Sequence, residues 1–382
     1  MYQGRLNGQR SIKHNSLKRQ MKIIGLFPLT GNGGIASWTK KFTKSFPDEE
    51  HQFTIVNVSP STPRAGGLSE TLVVRTISGF TAMFRILREL KGVLSSGHYD
   101  ILHTTTSGSI GSMRDYRVAK LCKKYGVKTI MHCRYGCITE DIQSKGFIGR
   151  LLRKAMREFD QIWVLDSRSY NTLKGIDYLA DEVYLTPNSI DVTEEMNPVP
   201  KEYKRVAFIG NLYPTKGLYE LVEACTRTDV RLDIIGPGAD DVVSHVKKLA
   251  GDKLDKTVFI HGKLPNPEAV KFMHDVDIVA LPTYYPWEAF PISIIEAMSL
   301  TKMVISCPRA AVKDMLTDLD GKPCGMLVAP KSADAIVEAI EWCQAHKEEA
   351  DEMCKKAYEK VKTCYSKEVV YDLYRSLYKQ LI

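Results

Sequence analysis

The chain has 382 residues, 44% hydrophobic and 26% charged, with a formal net charge of +8. That length allows two domains with well-buried cores, and the composition is that of a folded globular protein. The longest apolar runs are strand-sized, such as Asp277-Ile-Val-Ala-Leu281, which excludes a membrane-spanning helix.

The charge is unevenly placed. Residues 1–160 hold 26 Lys+Arg against 11 Asp+Glu, a net of +15, and residues 161–382 hold 27 against 34, a net of −7. Such asymmetry implies an anionic partner for the first half. No helix-turn-helix, RNP-like or zinc-finger pattern is present, so nucleic acid is not the expected partner. Nine scattered cysteines, without a metal-type tetrad, read as reduced thiols of a cytoplasmic protein.

In chain order, residues 1–20 are basic and polar, with no apolar core for a secretory signal, and read as a disordered extension. Lys22–Phe27 reads as a strand. Gly31-Asn-Gly33-Gly34-Ile-Ala36 follows it, a formal match to the dinucleotide fingerprint. Three residues intervene before the glycines, and the next strand, Phe53–Val58, ends in Asn57-Val-Ser59 without the expected acid. A glycine loop that admits a ligand to the backbone and a plain turn both fit. Phe80–Leu94 is a basic amphipathic stretch. Ile101–Thr104 and Lys128–His132 read as strands ending near His103 and His132, with a helix at Gly111–Lys124 between them. A polar residue at a strand's carboxyl end points toward a ligand cleft, and polar Arg134 and Tyr135 add weight to His132. Lys145–Arg157 is a second basic amphipathic stretch, suited to an anionic membrane surface. Ile162–Leu165 and Val183–Leu185 complete a first strand series over 21–192.

The polar segment 193–204, with prolines at 198 and 200, reads as a linker. A second series follows over 205–365: Val206–Ile209, Arg231–Ile235, Val258–Ile260, Ile278–Leu281, Met303–Ser306 and Met326–Val328. Strand–helix alternation predicts α/β architecture, with parallel sheets in two Rossmann-like lobes facing each other across a cleft. Gly210-Asn211-Leu-Tyr-Pro-Thr-Lys216-Gly217 places Lys216 just before a helix near Leu218, where its ammonium can meet a diphosphate. A helix is also expected at Ala269–Asp275. Asp275-Val-Asp277 and Asp318-Leu-Asp320 are D-x-D pairs at element boundaries, and no metal site is expected.

Glu288-Ala-Phe290-Pro291-Ile292-Ser293-Ile294-Ile-Glu296 is the most informative segment. It sets Glu288 on a loop rim and Glu296 on the second turn of a helix, and the amides of Ile292, Ser293 and Ile294 offer an anion site at the helix N-terminus. The segment 366–382 is amphipathic and aromatic-rich, able to pack back on the first lobe.

With these segments in view, the chain resembles the GT-B glycosyltransferases of family 4, retaining sugar-nucleotide enzymes, over about residues 21–382. E-x7-E at Glu288 and Glu296 is the most specific match. Gly210…Lys216-Gly217 is similar to the family's G-R-L-x-P-x-K-G, Pro187-Asn-Ser-Ile-Asp191 to its P-N-G-V-D, and Gly33-Gly34 to its glycine loop. The resemblance implies that Lys216 binds the donor diphosphate, Glu288 the donor sugar and Glu296 the ribose. It implies that His132 faces sugar and acceptor, that the glycine loop approaches diphosphate or acceptor, and that the base lies near Gly262-Lys263-Leu264. Asn211, Phe290, Pro291 and Ile292–Ile294 complete the implied donor site, with no cofactor and no metal.

The implied reaction moves a sugar from a nucleoside-diphosphate sugar to an acceptor. A glycan or lipid-pyrophosphate-linked acceptor at the inner membrane face, in bacterial surface or capsular polysaccharide assembly, fits the basic charge of the first half. Four departures stand out: Asn211 for the family's Arg, Ser189 and Ala289 for glycines, and Arg309-Ala-Ala-Val-Lys313-Asp314 for G-G-x-x-E. Three alternatives remain open: a nucleotide-sugar-binding protein without transfer, an NAD-dependent oxidoreductase, and a nucleotide-sugar epimerase.

Overall fold

The computed structural model describes residues 20–31, 34–59 and 72–382. Asn32 and Gly33, residues 1–19 of the basic N-terminal extension and residues 60–71 lie outside the described residues. The strands are β1 Met21–Phe27, β2 His51–Asn57, β3 Ile101–Thr106, β4 Lys128–Cys133, β5 Gln161–Val164 and β6 Val183–Leu185, then β7 Arg205–Ile209, β8 Arg231–Ile235, β9 Val258–Gly262, β10 Ile278–Leu281, β11 Met303–Ser306 and β12 Met326–Leu327. The helices of the first half are α1 Gly34–Ser45, α2 Leu72–Ser96, α3 Gly111–Lys124, α4 Ile138–Gln143, α5 Phe147–Met156 and α6 Ser167–Lys174. Those of the second half are α7 Leu218–Thr226, α8 Asp240–Ala250, α9 Asn266–Met273, α10 Ile292–Ser299, α11 Val312–Met315, α12 Ala333–Ala345, α13 Lys347–Lys360 and α14 Lys367–Lys379.

Among the described residues the strands form two six-stranded sheets, β2-β1-β3-β4-β5-β6 and β12-β11-β10-β7-β8-β9. Every pairing between them is parallel. Parallel strands are covered by helices on both faces, which is why β7, β10 and β11 are continuous apolar runs rather than alternating ones. In each sheet the strand order reverses once, between β1 and β3 and between β7 and β10. The loops leaving the two strands at such a point diverge and leave a crevice.

The second lobe is built on one apolar core, which includes Val206, Phe208, Val279, Ile294 and Val304. In the first lobe, Trp38, Phe42, Phe46 and Trp163 pack with Tyr371, Tyr374 and Tyr378 of α14. The last helix therefore completes the core of the first lobe. The chain crosses between lobes twice, and the crossings are joined: the Ile190 amide donates to Tyr365 O (3.1 Å) and the Lys367 amide to Ile190 O (2.9 Å).

Candidate active site

The crevice between β7 and β10 brings two predicted residues together. The loop after β7 turns through Pro214–Lys216 into Gly217, whose φ of +72° is left-handed. A Cβ there would also sit 2.2 Å from Pro282 O, so only glycine lets this loop lie against the one leaving β10. The Tyr284 amide donates to Thr215 O (2.9 Å), tying the two loops. Lys216 Nζ then lies 3.0 Å from Glu288 Oε2, with both side chains largely buried. That oxygen has no aligned hydrogen-bond donor, so the approach is a contact of charge. Asn211, half-buried, follows Gly210 at the head of the same loop.

Pro291 precedes α10 in extended backbone at its N-cap. The Ile294 amide donates to Pro291 O (3.2 Å), so of the three amides expected for an anion, Ile294's is already used. Ile292 and Ser293 open the helix and are half-buried. Glu296 is 7% exposed, and its Oε1 accepts from Asn266 Nδ2 (3.2 Å) and from Lys41 Nζ (3.5 Å) of α1 in the opposite lobe. Burial pushes the Glu296 carboxyl above the ordinary carboxylate range, against the pull of Lys41 and Asn266. Gly262 (φ +71°), Lys263 and Leu264 leave β9 just before Asn266 and so lie on the Glu296 side of the crevice.

The first-lobe wall differs from expectation at His132. β3 and β4 run past His103 and His132 to Thr106 and Cys133, so neither histidine ends its strand. Both are fully buried, stacked with ring centroids 5.3 Å apart. His132 Nε2 lies 3.1 Å from Arg134 Nη1, His132 Nδ1 lies 3.2 Å from His103 Nε2, and His103 Nδ1 lies 2.6 Å from the Tyr378 hydroxyl. A guanidinium only donates, so His132 Nε2 accepts. Nδ1 then carries the proton and donates to His103, which donates in turn to Tyr378. Burial, with the Arg134 charge, pulls both imidazoles well below the usual histidine value and keeps them neutral. His132 therefore orients Arg134 rather than facing the cleft, which corrects its expected role.

Arg134 itself is 6% exposed, with its guanidinium 4.0 Å above the Trp38 ring. Its Nη2 donates to Asn188 Oδ1, and Asn188 Nδ2 donates to Phe290 O (3.0 Å) across to the second lobe. Burial pulls Arg134 down to about 10, so it stays charged at neutral pH.

Close contact between the lobes depends on Gly136, whose amide donates to Trp287 O (3.2 Å). Arg309 Nη2 donates to Gly136 O (3.3 Å) and to Pro286 O, and its Nη1 lies 3.6 Å from Glu140 Oε1. Asp314, also in the divergent segment, accepts the Ser167 amide at 2.7 Å. These departures from the G-G-x-x-E pattern thus bridge the lobes. Ala289, buried, accepts the Ala311 amide (3.0 Å) through its carbonyl.

The glycine loop is braced by Asn57 Oδ1, which accepts the Leu29 amide (3.1 Å), and by Ser59 Oγ, which accepts the Thr30 amide (2.9 Å). Two neutral braces thus stand where a dinucleotide reading needs a carboxylate. Gly34 opens α1, exposed. The D-x-D pairs serve backbone: Asp277 Oδ2 accepts the Arg205 amide (2.8 Å) and Asp318 Oδ1 the Lys322 amide (2.7 Å). Among the described residues no group of three or more His, Cys, Asp or Glu is placed to hold a metal ion.

Residues 190–360 match the family model described as "Glycosyl transferases group 1". Over nearly its whole length the chain is similar to sucrose-phosphate synthase from Thermosynechococcus elongatus: TM-score 0.74, 15% identity, 95% of this chain and 99% of that one. It is similar also to Anabaena HepE in complex with UDP and glucose: TM-score 0.68, 14% identity, 94% of this chain and 100% of that one. These likenesses show the GT-B fold. By sequence the chain is 28% identical over 142 residues to "Putative teichuronic acid biosynthesis glycosyltransferase TuaC" of Bacillus subtilis, covering 37% of this chain and 33% of that protein. The matches take in 33% to 65% of the curated relatives' lengths.

Sequence reasoning missed Lys41, named Arg134 only as a polar neighbour of His132, and named Arg309 only as a departure from the family pattern. Arg134 had a local signal, as the first residue beyond β4. Lys41 and Arg309 had none, because their partners lie on the other lobe.

Proposed function

We propose that the protein is a retaining glycosyltransferase that moves a sugar from a nucleoside-diphosphate sugar to a glycan or lipid-pyrophosphate-linked acceptor. The observation that carries this reading is the Lys216–Glu288 pair at the β7/β10 crevice, with Glu296 one helix turn into α10. In the proposed complex Glu296 accepts the ribose hydroxyls, and Lys216 with the Ile292 and Ser293 amides meets the diphosphate. Glu288 accepts hydroxyls of the donor sugar. The bond between the anomeric carbon and the diphosphate oxygen breaks, and its electron pair leaves with the nucleoside diphosphate. An acceptor hydroxyl oxygen bonds to that carbon on the vacated face, and its proton passes to the departing phosphate oxygen. The protein contributes preorganised positive charge where negative charge develops. No metal is assigned a role in this scheme.

The acceptor side belongs to the first lobe. There α3 packs against both α2 and α5. Phe84 of α2 and Phe147 of α5 are exposed, as are Arg88, Lys91, Arg150 and Lys154 of the same two helices. Basic side chains with protruding aromatics suit an anionic membrane, which supports a cytoplasmic enzyme docked at the inner membrane face in surface-polysaccharide assembly. The basic 21–192 lobe, the 193–204 linker, the 205–365 donor lobe and the returning 366–382 helix are the working units of this proposal. A thermal-shift screen of nucleoside diphosphates and their sugars tests it: one nucleotide series raises the melting point by mass action, and Lys216→Ala abolishes the shift. No shift with any series contradicts it.

A further inference from the structure

We infer that Arg134 is a specificity-determining residue for an acidic donor sugar, its guanidinium receiving the carboxylate of a hexuronate. The inference rests on the nucleotide-sugar reading above. Arg134 is a buried cation that no protein carboxylate neutralises: its partners are His132 Nε2, Asn188 Oδ1, the Tyr374 hydroxyl and the face of Trp38, all neutral. Its Nε is buried and makes no aligned hydrogen bond. Burying a charge is costly unless something compensates it. A neutral sugar needs only hydrogen-bonding groups, which an asparagine or a histidine supplies at lower cost.

Position selects the sugar over the diphosphate. The diphosphate is served from the second lobe by Lys216 and the head of α10. Arg134 stands on the opposite lobe, joined through Asn188 to the carbonyl of Phe290, two residues beyond Glu288. That places its charge beside the loop assigned to the sugar. Orientation is fixed from behind by the relay from Tyr378 through His103 and His132. A carboxylate can pair in a forked manner with a guanidinium, and the unfilled Nε is the donor it would complete.

The test is isothermal calorimetry with UDP, UDP-glucose and UDP-glucuronate, and with GDP, GDP-mannose and GDP-mannuronate. The members of each sugar pair differ only in oxidation at C6. In the series that binds, the hexuronate binds about tenfold or more tightly than the hexose, the scale of one charge-assisted contact. Arg134→Gln brings the two within about twofold while leaving the affinity for the free nucleoside diphosphate nearly unchanged. Arg134→Lys, which keeps the charge and loses the fork, retains part of the preference and serves as the test if the Gln variant does not fold. Equal affinity for hexose and hexuronate in the native protein overturns the inference, as does a preference that survives in Arg134→Gln. A loss confined to the free nucleoside diphosphate also overturns it, because Arg134 would then serve the diphosphate. Binding by neither series removes the nucleotide-sugar reading as well.

Discussion

Gly136→Ala probes the dependence of the site on both lobes. A Cβ at Gly136 would lie 2.0 Å from Glu288 O and 2.7 Å from its carbonyl carbon, whereas real Cβ contacts essentially never fall under 3.0 Å. The clashing atoms are backbone, so no side chain can rotate away. The loop carrying Glu288 must retreat from the first lobe by at least about 1 Å. Overpacking of this kind costs about 1–3 kcal/mol of stability. A 1 Å misplacement at a reacting centre costs about 100-fold in rate. Steady-state transfer, nucleoside diphosphate affinity and melting temperature are measured together. Transfer falls about 100-fold, while the affinity for the nucleoside diphosphate, held on the second lobe alone, changes by less than about threefold, under 1 kcal/mol. Gly92→Ala is the control: open space surrounds that Cβ in the C-terminal part of α2, and the change gains about 0.5–1 kcal/mol without altering transfer. Native transfer rates in Gly136→Ala would refute the reasoning.

Glu288→Ala and Lys216→Ala each lower transfer on the order of 10²–10³-fold with far-ultraviolet circular dichroism unchanged; full transfer in both would overturn the site. Their stability effects are non-additive by about 0.5–3 kcal/mol, because each single change strands the other charge, and a thermal double-mutant cycle measures this. For Glu296, burial raises the folded-state pKa above the ordinary 4.5. The native state holds this proton more tightly than the unfolded state, so stability is lost as pH rises from 4.5 through the raised value. Glu296→Gln removes that loss, and it also removes the fall in nucleotide affinity expected as acidification protonates the carboxylate. Calorimetry across pH reads both effects, and an unchanged affinity profile in the variant would exclude Glu296 from the ribose site. Sedimentation with anionic liposomes decreases as salt rises from about 0.05 to 0.5 M, because the Debye length shortens severalfold; absence of binding at low salt counts against membrane docking.

The strands were legible because parallel strands buried on both faces leave uninterrupted apolar runs, as in Ile278–Leu281 and Met303–Ser306. Lys216 and Glu288 were legible as cleft residues because each follows a strand, and the fold adds that those two strands flank the point where the sheet order reverses. His132 was misplaced by a boundary effect: β4 runs one residue past it, and its side chain faces Trp38 and Trp163 in the core. The closed geometry was not legible at all. Arg309 meets Gly136 across 173 residues of sequence and Lys41 meets Glu296 across 255, and no periodicity encodes such contacts. Arg134 gains its significance only from what surrounds it: an arginine in a sequence is ordinarily a solvated charge, and the absence of a carboxylate partner is a property of the folded site.

A crystal structure with the nucleoside-diphosphate sugar selected by the binding screen tests the central claim most directly. The account predicts ribose against Glu296, diphosphate between Lys216 and the head of α10, and sugar between Glu288 and Arg134. Density for the nucleotide anywhere outside the β7/β10 crevice would contradict it.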